Sequence, residues 1–133
     1  MQKYALVMAD GRKSKYGINA CLGALEVLAE SDHPLVVWVE KNSTLSETLR
    51  ELIRQDVSPI VLWSLYSPEF NEAVASLDAL RLQFANEPLV PIHIVGGVHA
   101  TAEPELCLRA GFDFVSQGEG ERTMQSLVAA MNQ

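Results

Sequence analysis

Five short apolar runs recur along the chain, at residues 4–9, 35–39, 59–63, 91–95 and, more weakly, 112–115. Most are continuously hydrophobic instead of alternating. That pattern marks strands buried on both faces, as in a parallel sheet. Between them the period changes from two to about 3.6. Ile18, Cys21, Leu22, Leu25 and Leu28 fall three or four apart and share one helical face. Thr44 and Glu47 read as a capping box that opens a second helix, with Leu45, Leu49, Leu52 and Ile53 as its stripe. Ser67 and Pro68 supply an N-cap and a proline at the first helical position, ahead of Phe70, Val74, Leu77 and Phe84. Pro104 opens a shorter helix that Gly111 ends as a C′ residue. Met124, Leu127, Val128 and Met131 mark the last helix.

The predicted order is βαβαβαβαβα. Right-handed crossovers then place helices on both faces of a five-stranded parallel sheet. The expected fold is a Rossmann or flavodoxin-like three-layer α/β sandwich with strand order 2-1-3-4-5. No internal repeat, low-complexity tract or interior linker interrupts the pattern, so residues 1–133 read as one domain.

Composition narrows the function. With 17 acidic and 10 basic residues the formal net charge is −7, which argues against nucleic acid as a partner. No apolar run approaches the roughly 18 residues of a bilayer span, and the first residues do not read as a signal peptide. Cys21 and Cys107 are too few for a four-cysteine zinc site or a disulfide framework. A cytoplasmic setting is expected.

In this architecture ligands bind outside the carboxyl ends of the strands, at the switch point between strands one and three. The residues that follow the strands are therefore the candidates. They include Asp10 and Gly11, then Ser64, Leu65 and Ser67, then Gly96, Gly97 and His99, then Gly118 and Glu119. Two consecutive glycines at a strand end exceed what a helix cap requires, and they let a ligand approach the backbone. His99 could bond a ligand or cap the next helix. Arg12, Lys13 and Lys15 read as a solvated surface run. His93 lies within strand four and reads as structural, and neither cysteine carries the marks of an activated nucleophile.

Several chemistries are excluded by position. A receiver domain needs an aspartate ending strand three, where this chain has Ser64 and Leu65. No P-loop is present, and the first loop lacks the glycine fingerprint of a dinucleotide site.

The chain also carries a pattern made of ordered words. Gly96-Gly97-Val98-His99-Ala100-Thr101 is followed by Pro104-Glu105, by Gly111-Phe112-Asp113-Phe114-Val115, and by Gly118-Glu119-Gly120-Glu121-Arg122-Thr123. In this order and spacing the set resembles the N-terminal cobalamin-binding domain of B12-dependent radical SAM proteins. The likeness covers nearly the whole chain. Each word alone is common, but the ordered set is specific. The resemblance implies a corrinoid lying across the strand ends, with its nucleotide tail threaded along the sheet. It would place Ser64 and Ser67 near the tail, with Gly96 and Gly97 allowing close approach.

The first loop departs from the wider B12-binding pattern. Methyltransferases and mutases of that fold carry Asp-x-His-x-x-Gly there, and the histidine ligates cobalt. This chain keeps Asp10 but has Arg12 in place of the histidine and Lys15 in place of the glycine. Arginine stays protonated and cannot ligate cobalt. Radical SAM relatives commonly lack that histidine as well. Two readings stay open: base-off cobalamin with no protein ligand, or a degenerate Rossmann-like interaction domain that binds no cofactor.

A radical SAM cluster needs three closely spaced cysteine thiolates, and this chain has two cysteines far apart. The 4Fe-4S cluster and S-adenosylmethionine would belong to a downstream radical SAM domain of the same polypeptide. The chain is expected to be the N-terminal part of a longer protein and, alone, not an active enzyme.

Overall fold

A computed structural model describes residues 3–8, 35–38, 42–64, 70–96 and 103–115. Five parallel strands form one sheet: β1 (Lys3–Met8), β2 (Leu35–Trp38), β3 (Val57–Ser64), β4 (Ile92–Gly96) and β5 (Phe114–Val115). They lie side by side in the order β2-β1-β3-β4-β5. Three helices intervene: α1 (Asn42–Arg54), α2 (Phe70–Phe84) and α3 (Pro104–Ala110). The segments 18–28 and 124–131, expected as helices from their periodicity, lie outside the described residues, as does Ser67-Pro68.

The alternation of side chains along the strands sorts the core. Ala5 and Val7 of β1, Val57, Val61 and Trp63 of β3, and Val95 of β4 point to one face. Against them pack Leu45, Leu49 and Leu52 of α1, Ala73, Leu77, Leu80 and Phe84 of α2, and Cys107 of α3. All three described helices thus cover the same face. The intervening residues Leu6, Met8, Ile60 and Ile94 belong to the other face and are buried as well. Burial on both faces is why these strands read as unbroken apolar runs.

The helix ends show how local chemistry sets boundaries. α1 begins at Asn42, so Thr44 stands inside its first turn and is not the cap residue expected from the capping-box pattern. Its far end closes with Asp56 in the left-handed region, φ 62°. α3 has proline in its first turn and ends at Gly111, φ 116°, whose N–H bonds the Leu108 carbonyl. That agrees with the proline-in, glycine-out pattern read from the sequence.

β3 starts two residues before Pro59, which is fully buried inside the strand. Proline lacks an N–H and is normally kept to edges. Here the pairing of β3 with β4 begins only at Ile60, so at Pro59 the strand has β1 as its neighbour on one side.

Candidate functional site

The carboxyl ends of the strands form the rim where the sequence places a ligand. Their last residues, in sheet order, are Trp38, Met8, Ser64, Gly96 and Val115. None is charged. Ser64 and Gly96 are register partners, so a serine and a glycine stand side by side at the ends of β3 and β4. Of the ten residues singled out from the sequence, these two lie among the described residues. Asp10, Gly11, Leu65, Ser67, Gly97, His99, Gly118 and Glu119 lie outside them, as do Arg12, Lys15 and Cys21.

Directly behind this rim a polar network, which the sequence patterns did not reveal, runs from the helix-covered core to its half-exposed edge. The Trp63 indole N–H donates to Nδ1 of His93 at 3.1 Å. The rings of Trp63 and Phe112 meet edge to face, with centroids 6.0 Å apart. The His93 backbone N–H donates to Oδ2 of Asp113 at 2.7 Å, and the Asp113 N–H returns a bond to the His93 carbonyl at 2.9 Å. Arg81 of α2 completes the set. Its guanidinium lies 3.0 Å from Oδ2 of Asp113 and also donates to the Gly111 carbonyl. The only advance signal was an aspartate inside an apolar run, Phe112-Asp113-Phe114.

His93 is buried, and its pKa is lowered to about 4. Burial is the main cause, the Arg81 charge adds to it, and the Asp113 charge opposes both. The ring is therefore neutral near pH 7, with its proton on Nε2, because Nδ1 accepts from Trp63. The structural role read for His93 agrees with this geometry. Cys107 is also buried, and burial, followed by the Glu103 charge, pushes its thiol pKa up. A raised pKa disfavours the nucleophilic thiolate. Among the described residues no group of three or more His, Cys, Asp or Glu converges to hold a metal.

At the ends of β3 and β4 a serine and a glycine are neighbours, and no described strand ends in a charged residue. A parallel sheet in the order β2-β1-β3-β4-β5 with helices packed on it defines the class: a Rossmann-like α/β domain, a fold in which ligands bind at the strand ends.

Comparison with known proteins makes that class specific. The family model for the B12 binding domain matches residues 22–128, and the chain belongs to that family. Among solved structures the fold is similar to that of OxsB, a cobalamin-dependent S-adenosylmethionine radical enzyme. The TM-score is 0.67 at 18% identity, over 99% of this chain. OxsB was solved with aqua-cobalamin bound, and also with aqua-cobalamin and S-adenosylmethionine together. This chain spans 19% of the OxsB chain. The N-terminal domain of the hypothetical protein TM0182 from Thermotoga maritima is also similar, with a TM-score of 0.55 and 24% identity. That match covers 87% of this chain and 82% of the other. No curated protein matches the sequence. No described helix is long and apolar enough to cross a membrane.

Proposed function

We propose that this domain binds cobalamin base-off, without a protein ligand to cobalt from the first loop, and serves a radical SAM enzyme as its accessory domain. The observation that carries the reading is the pairing of Ser64 with Gly96 at the strand ends, in a chain whose family is the B12 binding domain. Ser64 and Ser67 line the nucleotide tail, and Gly96 and Gly97 let it approach the backbone. Asp10 and Gly11, Leu65, His99, and Gly118 with Glu119 complete the strand-end contacts. Arg12, in place of a histidine, leaves cobalt free of that ligand. Bound corrinoid supplies a cobalt centre for group transfer. The domain's own part is to hold and orient it.

The fold belongs to the same proposal in its full form. It has helices on both faces of the sheet, and Leu6, Met8, Ile60 and Ile94, on the face away from the three described helices, are buried as well. The partner is a radical SAM domain downstream in the same polypeptide. That domain carries the 4Fe-4S cluster and S-adenosylmethionine, and the protein works in the cytoplasm.

The test is titration of the chain with hydroxocobalamin and with methylcobalamin, followed by visible spectroscopy and calorimetry. Saturable heat and a shift of the methylcobalamin spectrum to the base-off form are expected. No heat and no spectral change at high micromolar cobalamin overturns cofactor binding and favours an interaction domain. Binding with a base-on spectrum overturns the ligation state alone.

A further inference from the structure

β5 is only two residues long, and its ladder consists of Ile94 opposite Phe114 and Val95 opposite Val115. So short a ladder specifies register weakly, and a slip of one residue would turn every side chain to the wrong face. The segment is instead fixed from outside. Asp113, just before β5, exchanges two hydrogen bonds with the backbone of His93 on β4. Arg81, reaching from α2, holds the Asp113 carboxylate and the Gly111 carbonyl at once. Such charge-assisted, two-point contacts are stronger and more directional than neutral bonds. Both side chains are about one third exposed, which moderates the pair's value, but its geometry joins three separate elements.

The last residue of this clamped strand, Val115, is level with Val95, and Val95 immediately precedes Gly96. β5 therefore ends one register step short of the rim glycine. Gly118 and Glu119 follow three and four residues later in the sequence. We propose that Arg81 and Asp113 are positioning residues for the cofactor site: they fix the register of β5 against β4, so that the last strand-end loop departs one register step short of Gly96. The proposal rests on the cobalamin reading for its ligand, while the clamp itself is a property of the protein alone.

The experiment compares the wild-type chain with Arg81→Met and Arg81→Lys. It combines hydroxocobalamin titration with amide hydrogen exchange measured strand by strand. Arg81→Met should raise Kd about tenfold, the scale of one charge-assisted bond. It should speed exchange at Phe114 and Val115 while β1 and β3 keep wild-type protection. Arg81→Lys should recover part of the affinity, since an ammonium can still meet the Asp113 carboxylate. Unchanged affinity and unchanged β5 exchange in Arg81→Met overturn the proposal. So does an affinity loss accompanied by equal loss of protection in β1 and β3, which marks general destabilisation. If the wild-type chain itself fails to bind, the cobalamin reading falls, and local exchange at β5 still decides whether the clamp sets its register.

Discussion

Trp63 and His93 are joined inside the core by a hydrogen bond in which the indole N–H donates to Nδ1 of the imidazole, at 3.1 Å. The bond requires the neutral ring. Protonation would place an N–H at both nitrogens and oppose one donor with another.

A pH dependence follows. Burial, reinforced by Arg81 and opposed by Asp113, lowers the folded-state pKa from 6.5 to about 4. Between those values the unfolded chain binds the proton and the folded chain does not. Stability is therefore complete above the unfolded pKa and falls as pH falls through the window, by about 3 kcal/mol in all. Urea unfolding of the wild type and of His93→Gln, from roughly pH 4 to pH 7, measures the contribution. The wild type should lose stability more steeply with acid. Parallel curves for the two proteins would show that His93 is not the group responsible.

Gly111 has φ 116° and ψ 5°, at the end of α3. A Cβ there would meet Leu77 Cδ2 at 3.6 Å and Arg81 Nε at 3.8 Å, which are ordinary contacts. Space is therefore no obstacle, and the cost of a side chain is conformational. Gly111→Ala should destabilise the domain by about 1–2 kcal/mol, and Gly111→Asn by less, since asparagine tolerates the left-handed region better. Denaturant midpoints check the ranking. Equal midpoints for glycine and alanine would refute it.

The glycine pair after β4 makes a separate prediction about binding. If the nucleotide tail passes against the backbone there, Gly97→Val should abolish corrinoid binding by steric intrusion while the domain stays folded. Circular dichroism checks the fold, and hydroxocobalamin titration checks the binding. A folded variant with wild-type affinity would remove Gly97 from the site.

The strands were legible because burial on both faces leaves a plain mark. Residues 4–9 and 91–95 nearly coincide with Lys3–Met8 and Ile92–Gly96. The end of α3 was legible because proline and glycine each act through their own backbone. Phe112, in contrast, reads as part of the fifth strand but packs its ring on Trp63 ahead of it. Its apolar character says that it is buried, not whether it lies in a ladder. Ala73 and Leu80, buried on α2, were absent from the expected stripe, whereas Phe70 and Val74 from that stripe are only partly buried. The buried face of α2 is thus rotated relative to the expected stripe.

The positions of Ser64 and Gly96 at strand ends were legible from the apolar runs that precede them. The network behind them was not. His93 and Asp113 are 20 residues apart and His93 and Trp63 are 30 apart, and no local pattern couples such positions. Only the parallel crossovers bring them together.

The placement of β1 carries a consequence for how the protein is made. β1 precedes both of its neighbours in the chain and lies between β2 and β3, with Ala5 paired to both Leu35 and Pro59. Its segment Ala5-Leu6-Val7-Met8 is wholly buried in the finished domain. During synthesis it has neither lateral partner until those later strands emerge. The nascent chain must therefore carry β1 unpaired until Leu35–Trp38 and Val57–Ser64 have been made, so that release or stalling before then should favour aggregation over folding.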